Sequence, residues 1–163
     1  MADRLAKKVA TEDIGEIIYD KITRETIITE GKENGLAKWQ EQWASSTKGA
    51  VSKLFFPNIK ERMKTRISFL AEFTPMVTGH GLTRSHLHRF KFIPNSTCSC
   101  RIKEEQTVNH IILKCTKLEN ERRFLQNTIV RTGETWPPPF EQLTRKHIKT
   151  FMNFVSSIDF SAL

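Results

Sequence analysis

Apolar residues recur along this chain mostly at helical spacing. Residues 1–10 put Leu5, Ala6 and Val9 on one side of a short helix. Mixed polarity and Gly15 predict a connector over 11–22. From about 24 to 45, Ile28, Leu36, Trp39 and Trp43 fall on one face of a longer helix. Gly31 and Gly35 weaken its first half by about 1 kcal/mol each relative to alanine. Ser45 to Gly49 end it. The i, i+4 pair Trp39 and Trp43 reads as core rather than as a stacking platform.

The segment 51–56 is short and apolar, and predicts a brief strand or an extended core segment stopped by Pro57. A basic helix follows through Ile59, Met63 and Ile67, with Lys60, Arg62, Lys64 and Arg66 around it. Another short helix is expected over 69–77, bent or started near Pro75. Thr78 to Gly81 forms a tight turn in which Gly81 caps a helix and His80 packs or makes a capping hydrogen bond. Residues 82–90 predict a helix closed by Pro94, with Leu82, His86, and Leu87 or Phe90 inward. Thr107 is a suitable N-cap for a helix through His110, Ile111 and Leu113. A charged helix over 120–131 turns Phe124, Leu125 and Ile129 inward. Pro137 to Pro139 form a stiff spacer. The last helix carries Phe140, Leu143, His147, Ile148, Phe151, Phe154, Val155 and Ile158 at good periodicity, a stripe for the core or for a partner's groove. The expected fold is mostly α: a small, irregular helical domain, organised as segments 1–10, 11–93, 94–118 and 119–163.

Charge changes this picture. The chain has 163 residues and a net charge of +8. Residues 47–93 hold 9 basic and 2 acidic groups, net +7, and supply nearly all of the excess. Such concentration points to a polyanion, RNA or DNA. In the helix over 82–90, Arg84 and His88 share a face. With Arg89 and Lys91 they are the candidate phosphate contacts, and the interleaved aromatics suit base stacking. No apolar run reaches the ~18 residues of a membrane span. Nothing assembles a small-molecule site, or a nucleophile with a paired acid and base.

The chemistry gathers just after the basic segment. All three cysteines lie within eighteen residues with one histidine among them: Cys98-x-Cys100, nine residues, His110, four residues, Cys115. Three thiolates and one imidazole are the ligand number and type of a structural zinc site. Cys98 and Cys100 stand in a polar stretch, where buried structural cysteines are unusual. Residues five apart on an α-helix point about 140° away from each other. Cys115 is therefore expected at or past the end of His110's helix. All four positions being filled, the metal would be structural. Two readings stay open: His80, His86 or His88 replaces a ligand, or the cysteines are ordinary small apolar residues. An odd cysteine count argues against a disulfide scaffold and for a reducing compartment.

Several segments, in order, resemble the C-terminal tail of the polyprotein of arthropod LINE-type (non-LTR) retrotransposons. They are Trp39 to Gly49, Phe55 to Arg62, Thr78 to Gly81, Leu87 to Phe90 and the Cys/His set. The resemblance covers about residues 2–125. In that family an endonuclease and a reverse transcriptase precede an RNase H domain, and this tail comes last. It implies a CCHC zinc knuckle that binds nucleic acid, within a nuclear or cytoplasmic ribonucleoprotein. It also implies that residues 1–10 are the remnant of the last RNase H helix, with Asp3 matching the final metal-binding carboxylate. A lone carboxylate cannot hold a two-metal site, so no hydrolase activity is expected. The chain departs from the family where many relatives have C-x2-C. It departs from retroviral-type knuckles in its nine residues between Cys100 and His110.

Overall fold

The computed structural model describes residues 2–11, 22–67 and 71–163, which are mostly helical. The chain divides into two compact units, Met1–Ala37 and Lys38–Leu163. The first contains α1 (Ala2–Thr11) and the opening of α2 (Arg24–Ser45). In α1, Asp3 and Lys7 pair at 3.2 Å, and the Thr11 hydroxyl donates to the Lys7 carbonyl at 2.9 Å. Thr23 caps α2, its Oγ1 accepting from the Thr26 amide at 3.2 Å. The connector expected over 11–22 lies outside the described residues except at its ends.

The second unit is a core wrapped by short helices. The expected strand over 51–56 is instead helix α3 (Ala50–Phe55). Helical spacing puts Val51 and Phe55 on its inner face, while Leu54 stays exposed. Only Val51 is β-branched, so packing against α5 (Phe73–Thr78) and α8 (Phe140–Arg145) decides its conformation. The end of α2 clasps the following loop. Trp43 Nε1 donates to the Phe56 carbonyl at 2.8 Å, and Gln40 bonds both the Pro57 carbonyl and the Ile59 amide. Trp43 is half-buried, but Trp39 is 49% exposed, so the tryptophan pair is not core.

Helix α4 (Ile59–Lys64) starts on an Asn58 cap and stops at Thr65, short of Ile67. The start expected for the next helix, near residue 69, lies outside the described residues. Gly79, not Gly81, caps α5, with φ 71°. A Cβ there would sit 2.8 Å from Val51 Cγ2, so glycine allows α5 to end against α3. Helix α6 (Arg84–Arg89) begins on buried Thr83, whose Oγ1 accepts from the His86 amide at 3.3 Å. Leu82 and Phe90, expected inward, are exposed.

Helix α7 (Glu119–Arg131) buries Leu125 and Ile129, while Phe124 faces outward. The proline run follows a cis Trp136–Pro137 bond, and Pro139, at φ −54° and ψ 139°, has the extended geometry expected of it. The last helix is two: α8 and α9 (Ile148–Ser156). His147 leaves helical geometry between them (φ −114°, ψ 24°), and its Nε2 lies 3.0 Å from Glu134 Oε2. The apolar stripe of this region is core: Phe55 stacks on Phe140 and Phe151, and Phe73 meets Phe151 edge-on. The same core continues through Ile111, Ile112, Leu125 and Val155 to the three cysteines.

Candidate metal centre

Two local structures meet at the cysteines. The first is a hairpin over 96–106. The Gln106 amide donates to the Ser96 carbonyl, and the Cys98 amide to the Glu104 carbonyl, both at 2.8 Å. Lys103 closes the turn with φ 53°, its amide 3.3 Å from the Cys100 carbonyl. The second is a helical segment capped by Thr107, whose Oγ1 accepts from the His110 amide at 3.2 Å, as its sequence position predicts. After one α-helical turn it becomes a π-helix over His110–Lys114.

The π-helix resolves the problem of the H-x4-C spacing. The Cys115 amide bonds the His110 carbonyl at 2.8 Å, an i→i+5 bond. Such a bond stacks residue i+5 nearly over residue i. Histidine and cysteine, which an α-helix would turn apart, thus come to one side. Cys115 itself sits just past the helix end, as expected.

The four predicted ligands converge. One donor atom from each of Cys98, Cys100, His110 and Cys115 lies within 4.8 Å of all the others, close enough to hold one metal ion. Cys98 Sγ is 3.8 Å from Cys115 Sγ, and Cys100 Sγ is 3.4 Å from His110 Nε2. All three cysteines are free, and none of the four side chains is more than 2% exposed. The alternative histidines are elsewhere: His80 and His86 face each other, ring centroids 5.0 Å apart, and His88 is exposed. Among the described residues no other group of three or more such side chains could hold a metal.

The surroundings act on the thiols in opposite directions. Burial pushes the Cys100 thiol up, but the backbone amides of Lys103, Ile102 and Thr116 and the Cys98 side chain outweigh it and lower it to about 6. Burial raises the Cys115 thiol to about 11, with Cys98 and Cys100 adding to the shift against the Lys117 amide. His110 Nδ1, on the far side of the ring, is buried without a hydrogen bond and lies 3.7 Å from Glu104 Oε2. A carboxylate behind a histidine is how metal-bound imidazoles are usually oriented. Glu104 also pairs with Lys114 at 2.9 Å, which, ahead of the contribution from His110, holds its carboxyl below the ordinary range.

Three of these supporting residues carry no local sequence signal. Buried Arg122 reaches back from α7 to the end of the π-helix. Its Nε donates to the Ile112 carbonyl at 2.7 Å, and its Nη2 to the carbonyls of Cys115 at 2.6 Å and Ile111 at 3.2 Å. Burial lowers the Arg122 pKa against the opposing pull of Cys115, Glu119, Glu121 and Cys100. Buried Gln106 joins the cysteines to α6: its Nε2 is 3.6 Å from Cys98 Sγ, and its Oε1 accepts from the Arg84 amide at 2.9 Å. Glu104 is the third. All three act through contacts distant in sequence, which periodicity cannot register.

The candidate phosphate contacts differ among themselves. His88, Arg89 and Lys91 are exposed. Arg84 is half-buried, and its Nη2 donates to Asn95 Oδ1 at 3.2 Å. Asp3 is exposed on α1, paired with Lys7. Among the described residues no helix is long and apolar enough to cross a membrane.

Comparison with known proteins places the chain beside retrotransposon polyproteins. It is 30% identical over 88 residues to a retrovirus-related Pol polyprotein from type-1 retrotransposable element R1 2 of Nasonia vitripennis. That match covers 53% of this chain and 21% of the relative. A second Nasonia protein, from element R1 4, is 33% identical over 79 residues, 47% of this chain and 20% of the relative. The corresponding R1 protein of Popillia japonica is 28% identical over 129 residues, 74% of this chain and 47% of the relative. The chain thus spans about a fifth of the two Nasonia polyproteins and about half of the beetle one. No protein-family model and no solved structure matches it.

Proposed function

We propose that this chain is a zinc-stabilised, nucleic-acid-binding segment of a non-LTR retrotransposon polyprotein, and that it has no catalytic activity of its own. The observation that carries the reading is the convergence of three thiols and one imidazole in a buried site beside a basic helix. Similarity to Pol polyproteins supports nucleic acid as the partner. Three sulfurs and one nitrogen are the donors zinc prefers among biological metals. Zinc bond lengths imply tetrahedral edges of about 3.8 Å between sulfurs and about 3.6 Å between sulfur and nitrogen. The Cys98–Cys115 and Cys100–His110 separations of 3.8 and 3.4 Å match them. With every ligand position supplied by protein, the ion has a structural role.

In this reading zinc locks the hairpin to the π-helix, and Gln106 passes that order to the first turn of α6. His88, Arg89, Lys91 and Arg84 then present positive charge to phosphates of RNA or DNA. In the same reading α1, where Asp3 pairs with Lys7, is a vestigial RNase H helix, and its lone carboxylate holds no two-metal site. The setting is a ribonucleoprotein in a reducing compartment.

Metal analysis of the purified protein tests the first half: one zinc per chain, lost in Cys100→Ser. Titration of single-stranded oligonucleotides tests the second. Three cationic phosphate contacts, Arg84, Arg89 and Lys91, give a log–log salt slope of about −2 on single strands. Absent metal, or affinity that is flat in salt, refutes the reading.

A further inference from the structure

Helix α6 ends in an unusual way. The Phe92 amide donates to the Leu87 carbonyl and the Lys91 amide to the His88 carbonyl, both at 2.9 Å. This is the double bond pattern of a Schellman cap, whose central residue is ordinarily glycine. Here it is Lys91, at φ 61°. The apolar residue after such a cap ordinarily folds back onto the helix. Phe92 instead stands 74% exposed, and Phe90 is 55% exposed. A left-handed lysine followed by an outward Phe92 is a strained arrangement without the fold-back contact that ordinarily accompanies such a cap, the kind found at functional sites.

The surroundings indicate what would cover these rings. Arg89 lies over Phe90, 5.1 Å from the centroid, and the His86 ring meets Phe90 at 4.7 Å. Phe92 lines an open depression with His88, Lys91, Ile93 and Pro94. Between Glu72 and Glu104 the chain contains no carboxylate. Phe124, also exposed, has acidic residues within its own helix; the charged groups on the last turn of α6, beside Phe90 and Phe92, are cations, and the one carboxylate bonded to this helix, Glu105, sits at its first turn on Ser85. An apolar protein partner would not need this charge, and a base-paired duplex would offer no free base face.

We propose that Phe90 and Phe92 form a stacking platform for unpaired bases, and that the α6 end is a binding surface for single-stranded polynucleotide. A base stacks on Phe92, while Lys91, His88 and Arg89 take the flanking phosphates. The inference rests on the nucleic-acid reading above and names its substrate class.

The test uses the full zinc-loaded chain with oligo(dT), oligo(U) and a duplex of equal length. Phe92→Ala is expected to weaken both single strands by about 5- to 150-fold, the range of one base–aromatic stack. Salt slope and duplex affinity stay unchanged. A 2-aminopurine oligonucleotide should lose fluorescence on binding the wild type and much less on Phe92→Ala. Phe92→Trp, which restores a ring, should recover affinity. Wild-type affinity in Phe92→Ala, equal loss on duplex, or a change only in self-association by light scattering overturns the platform. A wild type that binds no nucleic acid refutes the broader reading instead.

Discussion

Replacing Arg122 with alanine would remove the side chain that hydrogen-bonds α7 to the end of the π-helix. Its guanidinium makes three bonds to main-chain carbonyls, those of Ile111, Ile112 and Cys115. Hydrogen bonds from a charged donor contribute about 1.5–3 kcal/mol each, and a buried acceptor left unpaired costs about 1–3 kcal/mol. The three bonds share one desolvated cation, so they do not add in full. A net loss of about 3–5 kcal/mol follows, a large part of the ~5–15 kcal/mol by which domains are stable. Urea unfolding of the zinc-loaded protein measures it. With a slope of about 1–3 kcal/mol per molar, the midpoint should fall by roughly 2 M. Arg122→Lys keeps the charge but cannot span three acceptors, and should lie between wild type and alanine. A loss below about 1 kcal/mol in Arg122→Ala, or a lysine variant equal to wild type, would refute the capping role.

Other expectations follow from neighbouring contacts. Glu104→Gln should weaken zinc binding by about 10- to 100-fold in a chelator competition while leaving the stoichiometry at saturation intact. Gly79→Ala should destabilise by about 1–3 kcal/mol in the same urea assay, because it meets both a left-handed φ and the Val51 side chain. Glu134, bonded first by Lys146 and then by His147, has its carboxyl below the ordinary value of 4.5. A lowered carboxyl stabilises the fold fully above its unfolded value and loses that contribution as pH falls through the folded one. Thermal melts of Glu134→Gln should therefore differ from wild type near neutral pH and converge with it in acid.

The four converging donors were legible because cysteine and histidine announce their chemistry by type and spacing. The Thr107 cap and the helical content were legible for similar local reasons. The route to convergence was not. Angular reasoning put Cys115 past the helix end correctly, but the change to an i→i+5 bond arises where hairpin, core and Arg122 meet. Segment 51–56 turned helical because α5 and α8 cover its Val51–Phe55 face, a partnership no local window contains. The final helix broke at His147 because Glu134, thirteen residues earlier, engages its ring. Trp39 and Phe124 mark the opposite failure: helical spacing assigns these large apolar side chains inward, yet the fold leaves them in water.

The widened turn between His110 and Cys115 has a bearing on which changes in length the site tolerates. Deleting one outward residue there, Leu113 or Lys114, would convert the i→i+5 bond to i→i+4 and keep both donors on the same side. Gaps of three and four residues are then interchangeable ways of building one clamp. A change of one residue in length at that point therefore leaves the four donor atoms together.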